Sequence, residues 1–301
     1  MDILNQLFST FKVTSQIFHN GQYCGNWSID TSGTQYMSFH IVNHGRCFLT
    51  VEDDPEVFTL EKGDVVLFPN DSKHCITNDE SFSQPINQAE TISFSEGIIN
   101  DGTGLICGYF AHNHPLIRNV TAYLPNKVLL KRADLTQKNS SLTFLLEALL
   151  KESLSGDVGV ELVMNKIAEA LLALIFRQHL PTSQGIIAAM AHPQLSKVIQ
   201  AIHEEPEAKW TVDSMAELCF LSRAKFSDLF KSVLDESPMN YLTQWRISIA
   251  YRMLADEKVS TLQAALACGY DNESSFSKAF KRILGISPGA VRAGESSINI
   301  A

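Results

Sequence analysis

The chain has 301 residues, 45% of them hydrophobic and 19% charged, with a formal net charge of −9; this is the composition of a soluble globular protein of about two domains, and it excludes a collagen-like or largely disordered chain. The longest apolar run, Ala170 to Phe176, falls far short of the roughly 20 residues of a membrane span. The acidic balance hides a split, because Lys209 to Arg292 holds eleven Lys/Arg against nine Asp/Glu, so a DNA-binding patch is compatible with the overall charge.

The N-terminus, MDILNQLFSTFK, is amphipathic and lacks the basic start and unbroken apolar core of a signal peptide. Cys24, Cys47, Cys75, Cys107, Cys219 and Cys268 are scattered with no CxxC pair. That spacing excludes a zinc ribbon and argues against a disulfide framework. The expected compartment is the reducing cytoplasm, with no membrane association.

Residues 1–130 read as β structure. Tyr36–Val42, Cys47–Val51 and Val65–Phe68 are apolar or alternating, and the turn signals Asn43-His44-Gly45 and Glu61-Lys62-Gly63-Asp64 separate them. Such spacing without helical patterns predicts an antiparallel sandwich or barrel. Within it, Gly63, Pro69, His74 and Asn78 spell G-x5-P-x4-H-x3-N. This resembles the second cupin motif, with Asp71 in place of its usual glycine. The first motif is degenerate: His40 fits its second histidine, Ser38 occupies the first, and His44 stands where a glutamate is expected.

His40, His44 and His74 are therefore the candidate ligands of a three-nitrogen site for zinc, copper, nickel or iron. The alternative is that they are hydrogen-bonded core residues, with His44 facing solvent in its turn. Cys75 beside His74 and Cys47 near His44 leave a mixed thiol–imidazole site open.

From about Ser140 the pattern becomes helical. Leu142, Leu145, Leu146, Leu149 and Leu150, then Val160, Val163, Met164, Ile167, Leu171, Leu174 and Ile175, recur at helical spacing. Residues 131–185 are read as this helix pair and a linker, Pro181-Thr-Ser-Gln-Gly185. The pair either caps the barrel or forms a homodimer interface. A short helix with Leu195, Val198, Ile199 and Ile202 opens the C-terminal domain, residues 186–301.

An ungapped repeat then sets Val212–Pro238 against Leu262–Pro288. It matches Phe226 with Phe276, Ser227 with Ser277, Phe230 with Phe280, Lys231 with Lys281, Leu234 with Leu284, Ser237 with Ser287 and Pro238 with Pro288. Each copy reads as helix, tight turn and second helix with a buried aromatic stripe, the helix-turn-helix unit, at 212–234 and 262–284. Gly269 supplies the turn glycine of the second copy. Pro238–Leu254 reads as a rigid spacer helix able to set two second helices in successive major grooves, about 34 Å apart. On that spacer, Arg246 is expected to pair with a nearby acid.

Leu195–Arg292 resembles the DNA-binding domain of the AraC/XylS family, most specifically from Ala265 to Pro288. The resemblance implies that exposed residues near the start of each second helix read bases: Arg223, Ala224, Ser227 and Asp228 in the first unit, Glu273, Ser274, Ser275 and Lys278 in the second. Lys225, Lys231, Lys281 and Arg282 are placed for phosphates. Asp228 departs from the basic residue often seen there; it would accept from a cytosine amine.

Cys24-Gly-Asn-Trp27, Phe39-His-Ile-Val42, Gly63-Asp-Val-Val-Leu-Phe-Pro69, Ile106-Cys-Gly-Tyr109 and Ala191-His-Pro-Gln-Leu195 extend the resemblance to nearly the whole chain. They are similar to a branch with a cupin-type sensor that includes regulators responding to reactive chlorine and other electrophiles. By that resemblance Cys24 and Cys107 are the candidate redox pair; Cys219 and Cys268 belong to helix cores.

The implied architecture is α+β and multidomain: a cupin-like β-barrel with a helical appendage, then an all-α domain of two helix-turn-helix units joined by a long helix. The implied function is a non-enzymatic regulator, an activator or a repressor. Its expected partners are double-stranded promoter DNA, RNA polymerase and an oxidant, small-molecule or metal effector. A cupin-fold metal-dependent enzyme with a helical interaction module is the rival reading. The paired helix-turn-helix separates the two, since an enzyme has no need of it.

Overall fold

The computed structural model describes residues 5, 8, 10–82, 91–99, 101–112, 121–136, 141–179 and 184–294. Most of the amphipathic N-terminal stretch, the position near Ser140 where the pattern changes, and linker residues 181–183 lie outside the described residues. The chain divides into two compact units: Val13–Ala111 with Leu124–Leu180, and Pro181–Ala301 with the segments Met1–Lys12 and His112–Tyr123.

The first unit is two antiparallel sheets and a helix layer. Its strands are β1 (Thr14–Tyr23), β2 (Ser28–Ile29), β3 (Met37–His44), β4 (Arg46–Val51), β5 (Asp54–Glu61), β6 (Val65–Phe68), β7 (His74–Thr77), β8 (Thr91–Ser93), β9 (Thr103–Ala111) and β10 (Val128–Leu130). Six run in the order β10-β6-β3-β9-β1-β8 and four in the order β2-β7-β4-β5. The predicted Asn43-His44-Gly45 turn is tighter than expected: Asn43 and His44 still belong to β3, and Gly45 alone makes the bend, at φ 71°.

Sheet residues buried on both faces explain the unbroken apolar runs. Val66, Phe68, Val42, Cys47 and Cys107 point into the core between the sheets. Phe39, Ile41, Val65 and Leu67 face the other way, against helices α2 (Ser141–Glu152) and α3 (Val160–His179), which follow the short α1 (Arg132–Thr136). Leu142, Leu146, Leu171, Leu172 and Ile175 meet that outer face. The helix pair therefore covers the six-stranded sheet. It also leaves Phe144 59% and Leu162 64% exposed on its far side.

The second unit is helical: α4 (Gly185–Ala191), α5 (Leu195–Glu204), α6 (Val212–Leu218), α7 (Arg223–Leu234), α8 (Pro238–Ala255), α9 (Thr261–Ala267), α10 (Glu273–Leu284) and α11 (Pro288–Ala293). Side chains of Thr211, Ser222, Ser237, Ser260, Asn272 and Ser287 each accept an N–H from the first turn of the helix they precede. Ser-Pro thus ends one helix and opens the next at both 237–238 and 287–288, with proline at the first helical position.

Candidate functional site

Helices α7 and α10 are copies in environment as well as sequence. From 222–239 and 272–289, equivalent positions are alike in being buried, half-buried or exposed. Phe226, Phe230, Phe276 and Phe280 are wholly buried, and Leu234 and Leu284 close each core. The repeat is not ungapped, however. The first helices correspond at a separation of 49: Thr211 and Ser260 both form capping boxes, and Cys219 caps the C-terminus of α6 where Cys268 caps that of α9. The second helices correspond at 50, so the second turn carries one extra residue. The first helix of the second unit accordingly spans Thr261–Ala267, starting one residue before the 262 expected from the ungapped repeat.

The predicted reading residues Arg223, Ala224 and Asp228, and Glu273, Ser274, Ser275 and Lys278, are all exposed; Ser227 is half-buried. Lys225, Lys231, Lys281 and Arg282 are exposed beside them. Arg223 is already engaged, since Nη1 donates to Asp213 Oδ2 of α6 at 3.2 Å. Ser275 Oγ donates back to the Asn272 carbonyl at 3.0 Å. The 18 residues of α8 span about 27 Å at 1.5 Å each. Its Arg246 does not form the expected ion pair. It donates instead to the backbone carbonyls of Pro206 and Ala208, at 2.7 and 2.8 Å, so that two donors of its planar fork are used on one loop.

Inside the β unit, His40 and His74 meet. Their Nε2 atoms are 3.1 Å apart, and the Thr31 hydroxyl lies 3.1 Å from the first and 3.0 Å from the second. His74 Nδ1 is 2.7 Å from the Ser72 carbonyl, which only accepts. The proton is therefore on Nδ1, and Nε2 presents a lone pair. Burial holds His40 well below the usual imidazole range, with the His74 and His19 rings adding to it. Burial also lowers His74, against its Ser72 bond and the carboxylates of Asp30 and Asp71. The pair is neutral. Asp71, where the motif expects glycine, takes the left-handed conformation at φ 54° and accepts the Gln35 N–H at 2.6 Å.

His44 does not join this pair. It lies four residues along β3 from His40, about 13 Å at strand rise, with its ring against Phe94 at 5.7 Å between centroids. Metal–nitrogen bonds of about 2 Å cannot bridge that gap, so the three-nitrogen site is not assembled. Among the described residues no group of three or more His, Cys, Asp or Glu side chains is arranged to hold a metal ion. Sequence reasoning missed Thr31, which lies in an irregular segment with no periodic signal, and His19, which shares a sheet row with Cys107 and His40 across β1, β9 and β3.

Cys24 and Cys107 are also kept apart. Cys107 pairs in register with His19, whereas Cys24 follows the end of β1 at Tyr23. Four residues of strand hold the two Cα atoms at least about 10 Å apart, beyond the roughly 7 Å limit for a disulfide. Cys24 is partly exposed; Cys107 is buried, and burial raises its thiol together with the influence of Cys47. Cys47 is pushed up to about 12, chiefly by burial and then by Asp64. Burial likewise raises Cys219 and takes Cys268 up to about 12, which fits their place in the helix cores.

Comparison with known proteins agrees with this geometry. The Cupin family model matches residues 2–181 and a helix-turn-helix domain model matches residues 215–294. The chain is similar to the HTH-type transcriptional regulator AlkR of Acinetobacter baylyi, at 29% identity over 96% of this chain and 98% of that protein. It is similar to the RCS-specific HTH-type transcriptional activator RclR of Escherichia coli, at 29% identity over 97% of each. It is also similar to the HTH-type transcriptional regulator MtrA of Neisseria gonorrhoeae, at 28% identity over 97% of this chain and 98% of that protein. The chain belongs to the cupin family through its N-terminal part and, with its paired helix-turn-helix units, is a DNA-binding transcription regulator of the AraC family.

Proposed function

We propose that α7 and α10 together read one promoter site while the β unit receives the signal that changes binding or activation. The observation that carries this reading is one exposed face presented twice on equally buried aromatic cores. Arg223, Ala224, Ser227 and Asp228, with Glu273, Ser274, Ser275 and Lys278, face base edges. Lys225, Lys231, Lys281 and Arg282 neutralise phosphates, which makes affinity fall steeply with salt. The regulator acts in the cytoplasm as an activator that contacts RNA polymerase, and as a homodimer through the far side of α2 and α3. Regulation rather than catalysis is the task that the paired helix-turn-helix units and the similarity to named regulators support.

Similarity to RclR, an RCS-specific activator, supports an oxidant of the reactive-chlorine class as the signal. Cys24, assigned by the resemblance to that branch, is the thiol taken to meet it; like Cys75 it is partly exposed, where Cys107 is buried. The test is capture of the host's own genomic fragments by the full chain, with and without hypochlorite, followed by sequencing. A recurring motif of two boxes whose recovery changes with oxidant is the expected result. Fragments with no shared motif would contradict the reading of DNA by two helices.

A further inference from the structure

Arg246 stands midway along α8, the helix that belongs to neither helix-turn-helix unit. Its two bonds to the carbonyls of Pro206 and Ala208 grip the loop that leads into α6 of the first unit. The same guanidinium lies over the Tyr270 ring, 5.9 Å from its centroid, in the turn of the second unit. Trp210 steadies the loop by donating its Nε1–H to the Glu205 carbonyl at 2.8 Å. Gly269 completes the joint. It has φ 73°, and a Cβ there would stand 2.6 Å from the Glu207 carbonyl oxygen and 2.7 Å from Arg246 Nη2. The loop ahead of the first unit is thus packed directly on the turn of the second, with the spacer's arginine between them.

We propose that Arg246 is a positioning residue that fixes the two reading helices relative to each other, and so sets the half-site spacing this regulator accepts. A rigid joint makes contact by the second helix an intramolecular event when the spacing is right, and withholds it when the spacing is wrong. A planar fork on two carbonyls specifies orientation, where a lysine ammonium would supply a single point donor. Loss of the fork leaves α8 intact but frees loop 206–208 to slide over the turn at 268–270.

The proposal rests on both units reading DNA, so its test has one arm without DNA. In the full chain, spin labels on ketone-bearing unnatural residues at Ser232 and Lys281 report the distance between α7 and α10. Wild type should give one narrow distribution, and Arg246→Met a broad one. Arg246→Lys, which keeps the charge and fills the same space, should fall between them and serves if the methionine variant does not fold. The second arm uses a duplex selected from a random pool by the wild-type chain, then lengthened between its boxes by half a helical turn, about 5 bp. Wild type should lose about tenfold or more in affinity on insertion and Arg246→Met only about threefold or less, with equal binding to a single box. An unchanged distance distribution would overturn the proposal, and so would a uniform loss of affinity on every duplex.

Discussion

Phe220 and Gly269 occupy the same left-handed position after the first helix of their units, at φ 56° and 73°. Only glycine adopts that conformation without strain. Phe220 is 87% exposed, with the Lys197 ammonium over its ring, 5.6 Å from the centroid. Phe220→Gly should therefore stabilise the helical unit by about 0.5 to 1 kcal/mol through relief of strain. Gly269→Ala should destabilise it by about 2 kcal/mol or more, because the added methyl meets the Glu207 carbonyl as well. Urea unfolding of both variants checks this, and effects of the same sign would contradict it.

His203 is buried between α5 and α8, with Nε2 2.6 Å from the Tyr241 hydroxyl and its ring stacked on Trp245 at 3.7 Å between centroids. Burial lowers it to about 3. The unfolded chain then binds a proton that the folded one refuses, so stability is full above about pH 6.5 and falls as pH falls toward 3. The loss reaches about 2 kcal/mol at pH 5. His40 and His74 add to it in the same direction. Melting temperatures measured from pH 7 to 5 should drop steadily, and His203→Phe should flatten part of that slope. Rising stability over this range would refute neutral burial.

Phe144 and Leu162 stand exposed on helices whose other faces are fully used by the sheet. Light scattering at micromolar concentration should give about twice 33.4 kDa for the wild-type chain. Leu162→Glu should return it to the monomer mass without loss of helicity, since that side chain supports no core. A monomeric wild type would remove the dimer.

Cys24→Ala should abolish hypochlorite-dependent output from a reporter under the captured promoter, whereas Cys107→Ala should retain it, because the Cys107 thiol is sealed in the core. An undiminished response in the Cys24 variant would shift the sensing role to another group.

Much of this was legible in the residues because burial leaves a period. Val65–Phe68 is a strand residue for residue, and the leucines from 142 to 150 mark α2 correctly. The aromatic stripe at Phe226, Phe230, Phe276 and Phe280 led to α7 and α10 through their identities. What escaped was whatever depends on position across the fold. The one-residue shift in the turns was hidden because all seven identities lie in or just after the second helices, where the register is 50. His40 and His74 were both found, but the reach of His44 depended on strand rise rather than on motif spacing. Thr31 and the carbonyls that hold Arg246 carry no pattern at all, since an irregular segment or a backbone acceptor can belong to any residue type.

The most direct test of two-helix reading is a hydroxyl-radical footprint of the full chain on its captured promoter, with Lys278→Ala and Lys281→Ala beside it. Two protected patches about 10 bp apart on one face of the duplex are predicted. Lys278→Ala should relax base preference within one box, and Lys281→Ala should weaken binding evenly and lower the salt slope by about one. A single protected box, unchanged by Lys278→Ala, would contradict the account.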